Sequence, residues 1–329
     1  MRVLMITTEW PRVPWGTAQF IARQATFLRA AGVDVEVFAF LGNANPLNYA
    51  AAWFQVRRRL AREHFDLVHA QFGQCALMAL PKRVPMVLTF RGDDLQGIPG
   101  VRSGRVTLAG RLLRSFCRWS AHRADAVILV SAHMQRYLRN GNGTPVHVVP
   151  SGLDFELFRP LPQAPARARL GLPHDERLVL FVGNPDLARK RYALARDAVA
   201  LLPASPRTRL VVGWHVPHEQ IPDYMAACDA LVFTSAQEGS PNAVKEALAC
   251  NLPVVSVPVG DVAERLNGIE GCELCADDRP ETIAAALERV LARGERVASR
   301  AAVSHLDERL ITQRVIAIYN GALNGRPRA

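Results

Sequence analysis

The sequence has no long apolar run. Among its 329 residues the uninterrupted apolar stretches reach only five to seven residues, whereas a helix that crosses a bilayer needs about 20. We therefore expect no membrane-spanning helix. The chain opens on Met1 and Arg2 and passes directly into the strand-like run VLMIT, without the apolar stretch and small-residue cleavage site of a signal peptide. These features predict a cytoplasmic protein.

Cysteine is also scarce. The six cysteines are scattered, and Cys272 and Cys275 form a C-x-x-C pair without the second ligand pair that a structural zinc site needs. We expect neither a disulfide framework nor a metal. No G-x-G-x-x-G follows any strand-like run, which argues against an oxidoreductase of the dinucleotide-binding type.

Negative charge is scarce in the first half. Residues 1–160 carry 20 Arg and Lys against 10 Asp and Glu, while residues 161–329 carry 20 of each, so the first half holds the whole net charge of +10. Such a basic half indicates nucleic acid, an anionic membrane or an acidic ligand. Only three lysines occur, and no zinc-finger, RNA-recognition or KH pattern is present, so we expect no nucleic-acid partner.

The most informative stretch is 230–258, ALVFTSAQEGSPNAVKEALACNLPVVSVP, which predicts a βαβ unit. Ser240 and Pro241 are typical of a helix cap and a first helical residue. Glu238 precedes the predicted helix and Glu246 lies on its second turn. The first amides of a helix have no intrahelical acceptor and carry the positive end of its dipole, so they suit a diphosphate.

This stretch resembles the E-x7-E signature of retaining glycosyltransferases of family 4, which have the GT-B fold. The resemblance implies that Glu238 lies by the donor sugar and that Glu246 binds the ribose hydroxyls. It also implies that the loop amides hold sugar and phosphate oxygens. That loop comprises Gly239, Ser240, Pro241 and Asn242. Isolated from its context, the same pattern would describe a surface helix with two solvated carboxylates.

The segment after Gly183 extends the resemblance. The family has an arginine soon after this glycine and a lysine about one turn later, both against the diphosphate. Lys190 suits the second role, while Asn184 stands at the first position and Arg189 is a substitute for the missing charge. Without the family, residues 189–191 are a basic cluster before a helix, and such clusters are usually solvated.

The first half also alternates strands and helices, with predicted strands at 3–7 and 33–40 and a basic helix at 51–64. Gly16 lies where the family has a Gly-rich loop against the donor or acceptor, although it also suits a simple turn. Arg91, in TFRGDDL, stands where the family has a histidine that holds the sugar at the reaction centre. Arginine remains charged and can still bind an oxygen. The alternative is a strand-end arginine paired with Asp93 or Asp94.

Residues 101–124 carry six arginines without an acid. Arg111, Arg114 and Arg118 share one helical face with apolar neighbours, which is typical of a helix that lies on anionic lipid, although a solvated arginine face explains the pattern as well.

The resemblance implies two Rossmann-like parallel-sheet domains facing a cleft, an α/β architecture. We predict an N-terminal acceptor-side domain at 1–155, a Pro-, Ala- and Arg-rich linker at 156–172, and a nucleotide-sugar-binding domain at 173–305. A final helix at 306–329 would cross back to the first domain. The connection IPDYMAA is short, so one strand of the usual second domain is expected to be missing.

The predicted function is metal- and cofactor-independent transfer of a sugar from a nucleoside diphosphate sugar to a glycan or lipid-linked acceptor, with retention, in cell-surface polysaccharide synthesis. The catalytic candidates are Glu238, Lys190 and Arg91. Two alternatives stay open: a GT-B-type nucleotide-sugar epimerase and a non-catalytic subunit that binds nucleotide sugars. The sequence leaves the sugar, the base, the acceptor and the oligomeric state open.

Overall fold

The computed structural model describes residues 1–11, 13, 18–42, 45–97, 106–138 and 143–325. The chain forms two compact units. The first contains most residues up to Gly152 together with the C-terminal helix that begins at Glu308, and the second contains Leu153–Asp307. Each has one parallel sheet covered by helices, so the protein is an α/β protein, as predicted.

Within the described residues the first unit has a six-stranded parallel sheet in the order β2-β1-β3-β4-β5-β6. Its strands are β1 (Arg2–Thr7), β2 (Asp34–Ala39), β3 (Leu67–Ala70), β4 (Met86–Phe90), β5 (Ala126–Leu129) and β6 (Val146–Val148). Its helices before the second unit are α1 (Gln19–Ala30), α2 (Pro46–Arg62), α3 (Asp93–Gln96) and α4 (Leu108–Ala121). Every residue of β3, β4 and β5 is buried, because central parallel strands are covered on both faces.

The second unit has, over its described part, a five-stranded parallel sheet in the order β11-β10-β9-β7-β8. Its elements are α5 (Gln163–Leu170), β7 (Arg177–Val182), α6 (Tyr192–Ala200), β8 (Thr208–Gly213), α7 (Ile221–Ala227), β9 (Ala230–Phe233), α8 (Asn242–Ala249), β10 (Val254–Ser256), α9 (Val262–Leu266), β11 (Glu273–Leu274) and α10 (Pro280–Arg293). Between β8 and β9 the chain makes only a short 3₁₀ turn, His218–Gln220, and α7. The apolar side chains form a separate core on each face of this sheet.

The last helix, α11 (Glu308–Asn324), belongs to the first unit. Its buried residues Ile311, Val315 and Tyr319 are part of the core of that unit. The hydroxyl of Tyr319 lies 2.6 Å from Nδ1 of His69 on β3, and Nε2 of His69 lies 2.7 Å from Oγ1 of Thr89 on β4. Burial lowers the pKa of His69 to about 3, so this buried ring is neutral at physiological pH.

The predicted linker at 156–172 is not a linker. Residues 163–170 form α5, and the buried Arg167 donates to Oδ2 of Asp229 at 2.9 Å and to the carbonyl of Ala227 at 2.9 Å. Arg167 thereby anchors the segment to the second unit. The composition of the stretch suggested an open connection, but Ala166 is buried in a small apolar cluster against which Leu161, Leu170 and Leu172 pack.

The predicted bounds of α2 also differ from the structure. The helix begins at Pro46 rather than at residue 51, and Oδ1 of its N-cap Asn45 accepts from the amide of Leu47 at 3.0 Å. Proline is favoured in the first turn because its missing N–H has no intrahelical partner there. The first turn has no buried residue, since Leu47 is 72% exposed, so it lacks the apolar face on which the sequence prediction relied.

Candidate active site

The candidate active site of the second unit lies at the carboxyl ends of two adjacent strands. Residue 183 follows β7 directly, and residue 234 follows β9 directly; these strands pair in parallel. Ligands of open α/β sheets bind outside the carboxyl ends of their strands. The two loops bring together Lys190, Arg189 and Glu238, which are far apart in the sequence.

The centre of the site is the carboxylate of Glu238. Its Oε1 accepts from Nζ of Lys190 at 2.7 Å and from Nη1 of Arg189 at 3.3 Å. Burial by itself would raise the pKa of Glu238, but the charges of Lys190 and Arg189 outweigh burial and leave the pKa below its ordinary value. Glu238 is therefore ionised at neutral pH, and two cations are held beside it.

The backbone fixes these cations. The 3₁₀ turn Ala188–Lys190 is tied to the loop after β9, because Oγ1 of Thr234 donates to the carbonyl of Lys190 at 2.9 Å and the amide of Ala236 donates to the carbonyl of Arg189 at 2.8 Å. Nζ of Lys190 also lies 5.6 Å from the ring centroid of Phe233. The lysine is thus held in place by both its backbone and its side chain.

Gly183 allows the chain to turn into this loop. Its φ of +139° lies in a region that residues with a side chain rarely adopt. The aliphatic carbons of Lys190 lie 3.5 Å from the position that a Cβ of residue 183 would occupy. Asn184 has a local role, since its Oδ1 accepts from the amide of Asp186 at 2.9 Å. The predicted donor-binding roles of Gly183 and Arg189 remain predictions.

The start of helix α8 differs from the prediction. Pro241 is its N-cap and Asn242 its first residue, and no side chain caps it. Ser240 is not the cap, since it precedes the N-cap residue Pro241, and its hydroxyl donates to Oδ2 of Asp261 at 2.8 Å. The charged acceptor strengthens this hydrogen bond.

Two consequences follow for the predicted amide donors. Pro241 has no N–H, so it contributes no amide to a ligand. The amides at the start of α8 are those of Asn242 and the residues after it, which have no intrahelical acceptor. Oδ1 of Asn242 is buried and has no hydrogen-bond partner among the residues that the structure describes. Gly239 lies in the preceding loop, and its carbonyl lies 3.1 Å from where a Cβ of Gly260 would stand.

Glu246 lies on the second turn of α8, with 6% of its side chain exposed. Its Oε1 lies 3.4 Å from Nε2 of His218, and the His218 ring packs edge-on against Phe158 with centroids 5.3 Å apart. A nearly buried carboxylate beside a polar ring suits hydroxyl groups as partners. His218 was missed at the sequence level because nothing in HEQIPDY indicates that it reaches a helix 28 residues later.

Arg91 lies in the first unit, directly after β4. Its guanidinium donates to Oγ of Ser151 at 2.8 Å, to Oε1 of Gln24 at 3.2 Å and to Oε1 of Gln71. It stacks over the ring of Phe20 at 4.6 Å. The alternative of a pair with Asp93 or Asp94 is wrong, since the structure gives the Arg91 side chain no ion pair in its described part. Gly16 lies outside the described residues.

Glycosyltransferase family models match segments of both units. The model Glycosyltransferase Family 4 matches residues 23–157, and the model Glycosyl transferases group 1 matches residues 173–293. The chain is 30% identical over 243 residues to the "Putative teichuronic acid biosynthesis glycosyltransferase TuaC" of Bacillus subtilis, which covers 64% of this chain and 60% of the relative. It is also 30% identical over 261 residues to D-inositol 3-phosphate glycosyltransferase 1 of Catenulispora acidiphila. That match covers 63% of this chain and 59% of the relative. The chain thus matches about 60% of the length of these relatives.

Solved structures show the same fold. Sucrose-phosphate synthase of Thermosynechococcus elongatus has a TM-score of 0.80 at 18% identity, covering 99% of this chain and all of the other. HepE of Anabaena in complex with UDP-glucose has a TM-score of 0.72 at 18% identity. The match covers 97% of this chain and 99% of HepE. Two parallel-sheet α/β units of this kind define the GT-B fold. The chain belongs to glycosyltransferase family 4.

Proposed function

We propose that the protein transfers a sugar from a nucleoside diphosphate sugar to a glycan or lipid-linked acceptor, with retention at the anomeric carbon. One observation carries the proposal: Lys190 and Arg189 converge on Glu238. The two cations lie in the loop between β7 and α6, and Glu238 lies in the loop that precedes α8, the helix with Glu246. Anabaena HepE, which shares the fold, was solved with UDP and with UDP-glucose. For a role in the synthesis of surface polysaccharides, the support is the name of one relative, the teichuronic acid biosynthesis glycosyltransferase of Bacillus subtilis.

The difficult step is the departure of the diphosphate, on which negative charge develops. Lys190 and Arg189 are fixed cations, and the first amides of α8 add the positive end of a helix dipole. Groups that are already oriented toward developing charge stabilise it without reorganisation. In the resting site Glu238 holds both cations, so an incoming phosphate would share or replace this carboxylate as their partner.

The two carboxylates have separate roles. Glu238 stays ionised and accepts hydrogen bonds from hydroxyl groups of the donor sugar. Glu246, beside His218, accepts from the ribose hydroxyls of the nucleotide. A nearly buried carboxylate is costly unless it is hydrogen-bonded, so a diol that pairs with it gains affinity.

We assign no protein nucleophile to the reaction. The departing phosphate assists deprotonation of the acceptor on the same face of the sugar, which gives retention. The cationic cluster also supplies the charge that a divalent metal would otherwise bring, and we propose transfer without a metal or a resident cofactor.

We also propose that the first unit contacts an anionic membrane surface where the acceptor is presented. Helix α4 exposes 73% of Leu108, 65% of Leu112 and 41% of Trp119. Arg111 is exposed beside them and Arg114 is half-buried. Arg118 is less available than predicted, because its Nε donates to the carbonyl of Tyr137 at 2.7 Å. Arg102 and Arg105 lie outside the described residues.

Exposed apolar side chains among arginines suit the boundary between headgroups and acyl chains. No helix in the described part of the chain is long and apolar enough to cross a membrane. The predicted cytoplasmic location remains a prediction.

The test is a transfer assay with a panel of nucleoside diphosphate sugars and membrane-extracted acceptors, in the presence and absence of EDTA. We expect release of nucleoside diphosphate together with a glycosylated product whose anomeric configuration, read by NMR, matches that of the donor. An inverted product would contradict retention. An epimerised nucleotide sugar formed without acceptor would identify an epimerase, and tight donor binding with no product under any condition would identify a binding subunit.

A further inference from the structure

Arg91 carries a largely enclosed positive charge whose hydrogen-bond partners in the described part of the chain are neutral. Its Nη1 donates to the hydroxyl of Ser151, and its Nη2 donates to the amide oxygens of Gln24 and Gln71. Its Nε is buried and has no hydrogen-bond partner among the described residues. The residue is nevertheless partly exposed, so a ligand can reach it.

The nearby acids are engaged elsewhere. Oε2 of Glu308 lies 3.2 Å from Nε of Arg23, with 2% and 8% of these side chains exposed. Asp94 accepts hydrogen bonds from backbone amides that follow β3 and β4. The amides belong to Gly73, Arg91, Gly92 and Leu95. Neither carboxylate is a direct partner of the Arg91 guanidinium, whose hydrogen-bond partners among the described residues are Ser151, Gln24 and Gln71.

Burial also disfavours the charged form of Arg91. It lowers the pKa of Arg91 to about 10, even though the charges of Glu308, Asp94 and Glu9 oppose that shift. The side chain therefore stays charged at neutral pH. A buried charge that is not paired costs free energy, so the arrangement gains from an added anion.

Other buried arginines of the chain are stabilised differently. Arg167 forms an ion pair with Asp229 at 2.9 Å, and Arg265 forms one with Asp261 at 2.9 Å. Arg300 binds backbone carbonyls, among them that of Ala249 at the carboxyl end of α8, where the helix dipole is negative. These arginines have structural partners that offset their charge.

The position of Arg91 points to a ligand rather than to a structural role. Arg91 follows β4 and Gln71 follows β3, and these adjacent strands end at the same edge of the sheet. This is the edge where ligands of parallel sheets bind. Gln24 and Gln71 orient the guanidinium without neutralising it, and a planar guanidinium matches the two oxygens of a carboxylate or phosphate.

We infer that Arg91 is the receptor for an anionic oxygen of the saccharide substrate, a uronic acid carboxylate or a sugar phosphate. This inference rests on the proposed function, since it names the chemical class of the sugar that the enzyme handles. The first unit thereby selects an acidic saccharide over a neutral one of the same shape.

The test compares acidic and neutral ligands that are otherwise matched. Calorimetry with the full chain would use UDP-glucuronate against UDP-glucose for an anion carried by the donor. Methyl glucuronide and glucose 6-phosphate, each against methyl glucoside in the presence of UDP, would represent an anion carried by the acceptor. We expect the acidic member of at least one pair to bind about 10-fold more tightly or better, the scale of a charged hydrogen bond.

Two variants decide whether Arg91 is responsible. Arg91→Gln should remove the preference for the acidic ligand. Gln24→Glu, which is nearly isosteric, should remove it too by supplying an internal counter-ion, and it keeps the acceptor oxygen that Arg91 uses. It should also raise the melting temperature. Arg91→Lys, which keeps the charge, should retain part of the preference.

Equal affinity for acidic and neutral ligands in every pair would overturn the inference, as would a preference that survives both Arg91→Gln and Gln24→Glu. Binding of UDP alone is measured in the same experiments and reports on the second unit. UDP binding without discrimination would leave the proposed function standing while the inference fails. A preference for the acidic ligand without any binding of UDP would contradict the proposed nucleotide-sugar donor and leave the role of Arg91 as an anion receptor standing.

Discussion

Nζ of Lys190 lies 2.7 Å from Oε1 of Glu238, although 48 residues separate them in the sequence. The contact exists because β7 and β9 are neighbours in the sheet and each is followed directly by a loop that carries one partner. A partly buried pair of this kind is weak evidence for a structural role, since desolvation offsets much of its Coulombic gain. Its value lies in holding a cation in position for a ligand.

Lys190→Ala should lower turnover more than donor affinity. The charge of Lys190 is needed most when the diphosphate departs, and an interaction stronger in the transition state than in the ground state acts on kcat. Steady-state kinetics and calorimetry would separate the two effects. The matched control is Arg196→Ala, which removes an exposed cation from the same unit and should change neither. Equal losses in turnover and affinity would show that Lys190 only binds the ground state.

The pH dependence of stability should change when both cations are removed. In the wild type the lowered pKa of Glu238 contributes stability that is fully present above the ordinary carboxyl pKa and lost as pH falls through the lowered value. In Arg189→Ala/Lys190→Ala the two charges are gone while burial and the hydrogen bond with Ser235 remain, so the pKa of Glu238 should rise relative to the wild type. The deficit in unfolding free energy relative to wild type should then grow from pH 3 to pH 7.

Chemical denaturation over that pH range measures this deficit. The same double substitution made in a Glu238→Gln background serves as the control, because that side chain does not titrate. A deficit that grows equally with pH in both backgrounds would mean that Glu238 is not its origin.

The basic face of α4 should give weak, salt-sensitive attachment to anionic vesicles. Near an anionic leaflet each arginine contributes about 1 kcal/mol, and this attraction is screened by salt. Arg111→Gln/Arg114→Gln should reduce co-sedimentation, and Leu112→Ser should reduce it independently by removing apolar contact. Thermal stability should stay nearly unchanged, because these side chains are exposed or half-buried.

Arg118→Gln is the comparison for stability, since it loses the bond to Tyr137 and should lower the melting temperature. If the wild type does not sediment with anionic vesicles at low salt, the membrane proposal fails.

Tyr319→Phe should destabilise the first unit by about 0.5–1.5 kcal/mol, the net contribution of one hydrogen bond. The bond that is lost joins the tyrosine hydroxyl to Nδ1 of His69, 2.6 Å away in a fully buried environment, while Nε2 of Gln71 stays 3.3 Å from that nitrogen. Denaturant unfolding measures the change. Leu310→Ala removes a side chain that is 54% exposed from the same helix and should cost much less. Similar losses for both variants would contradict this account of the helix.

The alternation of apolar strands and helices was sufficient to predict the α/β class, since buried parallel strands leave a strong pattern. The resemblance at 238–246 pointed to the second unit, but its geometry was only partly predictable. Ser240 looked like a cap by residue type, yet Asp261, 21 residues away, is its partner. Local sequence does not contain such a partner.

Contacts that converge from several strands were not predictable at all. Gln24 and Gln71 orient Arg91, and His218 contacts Glu246, but none of the three has a distinctive neighbourhood in the sequence. Polar residues of this kind become recognisable only when the sheet topology brings the ends of separate strands together.

The most direct test of the account is donor binding by Glu246→Ala, measured by calorimetry with the nucleoside diphosphate sugar that binds the wild type. The central claim is that the second unit binds this donor through Glu246 and the cluster around Glu238. Affinity should fall by about 1–3 kcal/mol, because the ribose hydroxyls lose a charged acceptor. Glu288→Ala, an exposed acid on α10, is the control and should bind as the wild type does. An unchanged dissociation constant for Glu246→Ala, in a variant that melts like the wild type, would contradict the claim.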